Sequence, residues 1–223
     1  HCVTPRNGKA VEINAMWYNA LKIAEELTKL YGTKEQTKKY SNLAEKCKKS
    51  FEVKFYNKKR KCLYDVIGDS KIRPNQLFAI SLTYPVLEPD SEMAKEMFET
   101  VTKKLLNNYG LKTLAKGEAF YKDVYEGDVL KRDMSYHQGI TWTWLLGLYY
   151  NSLENMLKYA KTKKRKTELE TKITEFKQET TKTVEKEISN RGCVGSIAEI
   201  YDSTKPYAPK GAFSQAWSVA EIL

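Results

Sequence analysis

Val11-Glu12-Ile13-Asn14-Ala15-Met16-Trp17-Tyr18-Asn19-Ala20-Leu21, running on to Tyr31, is the stretch that decides the fold. Ile13, Met16, Ala20, Ala24, Leu27 and Tyr31 recur at three- and four-residue steps, the period of an amphipathic helix, and Gly32 ends it. Thr33 then caps a second helix that reaches Phe55, with Tyr40, Leu43, Ala44, Cys47, Phe51 and Phe55 on one apolar face. The pair reads as an αα hairpin and sets the expectation of an all-α chain.

The chain beyond it fits more helices joined by loops. After the basic turn at Asn57-Lys58-Lys59-Arg60-Lys61, Leu63-Tyr64-Asp65-Val66 reads as a short extended piece. Pro74 suits a first helical turn, and Leu77 to Leu82 is apolar nearly all round, which predicts a buried helix. Ser91 opens another amphipathic helix, with Met93, Met97, Val101 and Leu105 at four-residue steps, ending near Asn107-Asn108-Tyr109-Gly110. Leu111 to Met134 has no helical period and reads as a long loop, the kind of segment that tends to carry function. A helix is expected to open at Tyr136-His137-Gln138, and Lys158 to Glu187 reads as a charged, peripheral helical hairpin. Gly192 and Gly195 shape a loop, and Ala212 to Ala220 returns to helical spacing after Pro206, Pro209 and Gly211.

With 223 residues and 41% hydrophobic content, one core and one domain over 1–223 are expected. No uncharged apolar run of about eighteen residues offers a membrane span, and the first residues lack a signal peptide's apolar centre. Cys2, Cys47, Cys62 and Cys193 form no Cys-x-x-Cys pair, which points to reduced thiols and a cytoplasmic setting. The formal charge of +10 comes from lysines interleaved with glutamates, a pattern of solvated helix faces rather than of a phosphate-binding stripe, so no nucleic-acid partner is expected. His1 and His137 are too few for a histidine-built metal centre, and neither metal nor cofactor is expected.

Two stretches carry candidate chemistry. Gly195-Ser196-Ile197-Ala198-Glu199-Ile200-Tyr201-Asp202 places two acids beside a glycine turn, where Glu199 is either a catalyst or an ion-pair or capping partner. Tyr136-His137-Gln138 with Trp142 and Trp144 supplies flat rings for the apolar face of a pyranose and polar groups for its hydroxyls, or else an aromatic core helix. Tyr125 stands in the long loop nearby. Arg73, Asn75 and Gln76 either meet sugar hydroxyls or close their own loop. Glu12, Asn14 and Trp17, at the start of the first helix, either reach a site beyond its N-terminus or cap it.

Thr4-Pro5-Arg6-Asn7-Gly8-Lys9-Ala10-Val11-Glu12-Ile13-Asn14-Ala15, Arg73 to Leu82, Tyr136-His137-Gln138-Gly139 with Trp142 and Trp144, and Gly195 to Leu223 together resemble the amylo-α-1,6-glucosidase domain of glycogen debranching enzymes. These stretches occur in the family's order and span nearly the whole chain. The resemblance implies an (α/α)6 toroid of paired helices, of which 1–223 would be the C-terminal part. It also implies hydrolysis, with inversion, of α-1,6-linked glucosyl branches in glycogen or limit dextrin. Ala198-Glu199 resembles the Ala-Glu of glucoamylase-like enzymes, whose glutamate is the general base, with Asp202 as runner-up. Tyr136, His137, Gln138 and Trp142 match the terminal-glucose subsite, and Trp217-Ser218 matches the tail. The general acid is expected in a Trp-Met-Asp-type segment upstream of His1, with Glu12 a secondary candidate. A partial toroid would leave apolar helix faces uncovered, which predicts a homodimer, a companion N-terminal fragment or poor stability. Two alternatives stay open: a non-catalytic carbohydrate-binding helical fragment, and another toroidal glucosidase, trehalase or phosphorylase.

Overall fold

The computed structural model describes residues 3–222, so His1 and Cys2, with the readings that touch them, and Leu223 lie outside the description. The expected hairpin forms as α1 (Val11–Tyr31) and α2 (Lys34–Phe55). Its turn is set by a reciprocal cap: Thr33 Oγ1 accepts from the Gln36 N–H at 3.2 Å, and Gln36 Oε1 accepts from the Thr33 N–H at 2.9 Å. The face that α1 buries is not the expected one. Val11, Ala15 and Leu21 are buried, whereas Ile13, Met16, Trp17, Leu27 and Tyr31 are exposed. The helix is apolar on both sides, so its period fixes the conformation while the position of its packing partners decides the orientation.

Around the basic turn, β1 (Tyr56–Asn57) pairs antiparallel with β2 (Cys62–Leu63), and Val66 bridges to Ala10. Pro74 opens a 3₁₀ turn, Pro74–Leu77, that runs directly into α3 (Phe78–Ser81), and Leu77, Ala79 and Ile80 are fully buried. Ser91 caps α4 (Glu92–Leu105) by accepting from the Ala94 N–H at 3.3 Å, and Met97, Val101 and Leu105 point inward as spaced.

The all-α expectation needs correction. A five-stranded antiparallel sheet runs in the order β3 (Leu106–Asn107), β4 (Gly110–Lys112), β5 (Thr141–Trp142), β6 (Ile200–Tyr201) and β7 (Pro209–Lys210). Each strand has two or three residues, too few for an alternating pattern to register in the sequence. Gly110 permits a close approach of β4 to β5: at φ +152°, an added Cβ would lie 2.2 Å from the Trp142 carbonyl oxygen. Pro209, which has no N–H to donate, sits in an edge strand.

Three helical boundaries also differ from expectation. The long loop ends early, in α5 (Val129–Tyr136), capped by Asp128, which accepts from the Lys131 N–H at 2.9 Å. Its apolar residues Val129, Leu130 and Met134 stay exposed, so no buried stripe marks it. The helix expected at Tyr136 begins instead at Leu145, as α6 (Leu145–Tyr159), after the turn and strand at residues 137–142. The expected charged hairpin is a single 28-residue helix, α7 (Lys163–Asn190), because no glycine or proline interrupts it. The tail helix is short, α8 (Ala216–Ala220).

One apolar cluster runs from Val11 and Phe51 through α3, α4 and α6 to Leu169 and Ile200, and a smaller one joins Tyr109, Ile197, Ala198 and Tyr201. Among the described residues no helix is long and apolar enough to cross a membrane.

Candidate active site

Arg73 precedes a proline and is held extended, which turns its side chain away from the helical turn that follows. The buried guanidinium donates through Nη1 to the carbonyl oxygens of Thr113 (3.0 Å) and His137 (2.6 Å), and through Nη2 to Gln138 Oε1 (2.7 Å). Gln138 in turn donates to the Val3 carbonyl at 3.1 Å. Beside it, Arg6 holds both oxygens of Glu12 (2.5 and 2.7 Å) and both of Asp65 (2.6 and 3.0 Å). Burial works against the Arg6 charge, but its hydrogen bonds to Glu12 and Asp65 outweigh that and raise its pKa. Arg73 shifts the other way, lowered by burial, with Asp65 opposing.

Aromatic rings wall this charged floor. His137 stacks on Trp142 with centroids 5.3 Å apart, Trp217 meets Trp142 edge-on at 5.6 Å, and Trp144 stacks on Trp217 at 5.3 Å. Together with Thr4, Asn75 and Leu145, floor and wall enclose a hollow of about 320 Å³, at the lower end of the ~300–1,000 Å³ of small-molecule sites.

A second, more polar hollow of about 680 Å³ adjoins the first through Tyr136; Tyr125, Glu126, Arg132, Asp133, Tyr136, Glu199 and Lys210 line it. The Tyr136 ring lies 4.7 Å from both His137 and Trp142, and the Trp142 indole N–H donates to the Tyr136 carbonyl at 3.0 Å. The Tyr136 hydroxyl donates to Glu199 Oε1, and the Ala212 N–H donates to Oε2 at 2.9 Å. Glu199 thus enters β6 with its carboxylate held from two sides. Gly211, at φ +70°, makes room: a Cβ there would fall 2.4 Å from Glu199 Oε2.

Burial first, then Glu199, raises the Tyr136 pKa, so the phenol keeps its proton and remains a donor. Burial first, then Arg73, lowers the His137 pKa against the pull of Glu199. The imidazole is therefore neutral near pH 7 and has one donor and one acceptor nitrogen.

The fold brings Glu12, Arg73, His137, Trp142, Trp144 and Trp217 to the aromatic hollow, and Tyr125, Tyr136 and Glu199 to the polar one. Other candidates lie elsewhere. Asn14 donates to the Ala10 carbonyl at 2.7 Å inside the first turn of α1, and Trp17 is exposed on that helix. Gln76 is buried between the Leu63 N–H and the Arg73 carbonyl, and Gln138 sits behind the floor as an anchor for Arg73. Asp202 is buried, accepts from the Tyr125 N–H at 2.8 Å and lies 4.0 Å from Lys210.

The sequence reading does not single out Arg6 or Thr4, which line the aromatic hollow, or Asp65, whose side chain is 1% exposed. Asp65 carries a usable signal: a carboxylate between Leu63 and Val66 in an apolar run must find a cation once buried.

The model of the family described as amylo-alpha-1,6-glucosidase matches residues 1–223. Among solved structures, the chain is similar to a sialidase with a TM-score of 0.69 at 15% identity, covering 94% of this chain and 18% of that one. It is similar to a glycosidase in complex with glucose, with a TM-score of 0.57 at 10% identity, over 98% of this chain and 47% of the other. An uncharacterized conserved protein from Thermus thermophilus gives 0.58 at 14% identity, over 96% and 47%. The chain therefore spans less than half the length of each of these proteins, and at such identities the likeness is one of fold.

Proposed function

The chain belongs to the amylo-alpha-1,6-glucosidase family, and from that premise we propose that it carries the glucose-holding wall and the general base of an inverting glucosidase. The substrate is an α-1,6-linked glucosyl branch on glycogen or a limit dextrin. One observation carries this reading: the Glu199 carboxylate, oriented by the Tyr136 hydroxyl and the Ala212 N–H, lines a polar hollow that adjoins the aromatic one where Tyr136 packs on His137 and Trp142.

In this reading the terminal glucose lies against Trp142, Trp144 and Trp217, with its hydroxyls served by His137 and by the charged floor. Glu199 takes a proton from the water that attacks the anomeric carbon from the face opposite the leaving oxygen. An inverting pair keeps its carboxyl groups ~6.5–9.5 Å apart to leave room for that water. Arg6 occupies both oxygens of Glu12, which suits an anchor better than a proton donor. In this reading the general acid is a carboxyl group other than Glu12. The exposed stripe of Ile13, Trp17, Leu27 and Tyr31 on α1 fits a partial helical toroid that meets further helices or a second copy. Free Cys47, Cys62 and Cys193 fit a cytoplasmic setting.

Glu199→Gln in the full-length protein tests the base. Glucose release from limit dextrin should fall by ~10²–10⁴-fold or more, with the far-UV circular dichroism spectrum unchanged. Wild-type product should appear first as the β-anomer by proton NMR. Near-normal turnover in the variant would remove Glu199 from the role and move it to Asp202.

A further inference from the structure

Glu187 stands in the last turn of α7, the helix that the sequence presents as peripheral. Its side chain is 3% exposed, and neither carboxylate oxygen completes a hydrogen bond with a described residue. The cation facing it is Arg191, whose Nε lies 3.7 Å away. The Tyr201 hydroxyl is also buried without a completed hydrogen bond. Glu187 and Tyr201 line one small cavity together with Tyr109 and Ile197, and burial first, then the Glu187 charge, raises the Tyr201 pKa.

Arg191 and Tyr109 connect that spot to the segment bearing Glu199. Arg191 donates to the Tyr109 hydroxyl and to the carbonyls of Tyr207 (2.7 Å) and Pro206 (3.1 Å). The Tyr109 ring packs on Tyr201 at 4.7 Å and on Tyr207 at 5.3 Å. The Gly195 N–H donates to the Ile188 carbonyl, in the same last turn, at 2.7 Å. Both flanks of Glu199 are thereby tied to the C-terminal end of α7.

We infer that Glu187 is a positioning residue: through Arg191 and Tyr201 it holds β6 where Tyr136 and Ala212 can orient Glu199. A buried, imperfectly paired carboxylate is less stable than an apolar side chain of similar volume, so stability alone does not account for it. A directional tie between α7 and β6 does. The catalytic half of this inference rests on Glu199 being the general base, whereas the anchoring half stands apart from it.

Glu187→Ala and Glu187→Gln, made in the full-length protein, separate the two halves. Amide hydrogen exchange reads the anchoring: in Glu187→Ala, residues 196–203 should exchange roughly tenfold faster while α1 and α4 keep wild-type protection. Glucose release from limit dextrin reads the consequence: kcat should fall ~10²-fold, the effect of a misplacement of about 1 Å, with KM within about threefold. Glu187→Gln, similar in shape and still polar, should recover most of that kcat. Tyr201→Phe keeps the ring packing, loses only the hydroxyl, and should lower kcat ~10-fold; it carries the test if Glu187→Ala does not fold. Unchanged exchange at 196–203 in Glu187→Ala, unchanged kcat in Tyr201→Phe, or a loss of protection spread evenly over the chain overturns the positioning role, even where Glu199→Gln is inactive. Faster local exchange beside a fully active Glu199→Gln would overturn the reading of Glu199 and leave the anchor standing.

Discussion

Gly211→Ala should disable the proposed base without touching a charged or aromatic group. The glycine sits at φ +70°, and a Cβ built on it falls 2.4 Å from Glu199 Oε2 and 3.1 Å from both Glu199 Cβ and Ile200 Cγ1. Ordinary contact begins near 3.4 Å, so the carboxylate oxygen must retreat by about 1 Å. Ile200 is fully buried and cannot yield to the same side, which directs the movement onto the Glu199 side chain. The retreat pulls Oε2 away from the Ala212 N–H, now at 2.9 Å, and Oε1 away from the Tyr136 hydroxyl. A displacement of that size costs ~10²-fold in rate, and kcat should carry it because the glucose-facing rings are untouched. The left-handed backbone adds ~1–2 kcal/mol of strain, equivalent to a fall in Tm of about 2–8 °C for a chain of this size. Initial rates of glucose release from limit dextrin over a range of substrate concentrations give kcat and KM, and a thermal melt gives the stability. A variant with kcat within about twofold of wild type would refute the argument that this close approach positions Glu199.

Trp217→Ala removes the ring stacked on Trp144 and meeting Trp142; with about 0.5–1.5 kcal/mol for one aromatic contact, the affinity for glucose by calorimetry should fall roughly 2- to 13-fold. An unchanged affinity would remove Trp217 from the sugar wall. His137 predicts a pH effect on stability, because its folded pKa is depressed below the ordinary 6.5. Between those two values the unfolded chain binds the extra proton, so stability is full above pH 6.5 and is lost as pH falls through 6.5 toward the folded value. Urea midpoints from pH 8 to pH 5 should decline less steeply in His137→Gln, and parallel curves for variant and wild type would contradict the assignment.

Helix spacing and caps were legible wherever the signal is local. Thr33 with Gln36 and Ser91 with Ala94 make their bonds within three residues, so the starts of α2 and α4 can be read from a few letters. The buried side of α1 could not be, because Ile13 and Trp17 are as apolar as Val11 and Leu21, and nothing within the helix ranks one stripe above the other. The aromatic density of Tyr136 to Trp144 pointed to a sugar wall, although those residues form a turn and a strand rather than the start of a helix. Arg6 and Asp65 are 59 positions apart, and their pairing is a property of the fold that no local pattern encodes.

What joins the candidate residues is the sheet, the element hardest to see in advance. Trp142 lies in β5 and pairs with Ile200 of β6, the residue after Glu199, while Tyr201 of β6 pairs with Pro209 of β7. Those few ladder bonds bring the aromatic stretch at 136–144 and the acidic stretch at 195–202 together across the intervening segment 145–194, which is mostly α6 and α7. The helices supply the buried area that keeps the assembly folded, and α7 spans the gap between the two stretches without entering either hollow. Apolar periodicity therefore reports that α1, α2 and α4 are helices while remaining blind to the contact that makes the site. A strand of two residues has no period to detect, and its partner is chosen by loop closure and by the packing of the helices on either side.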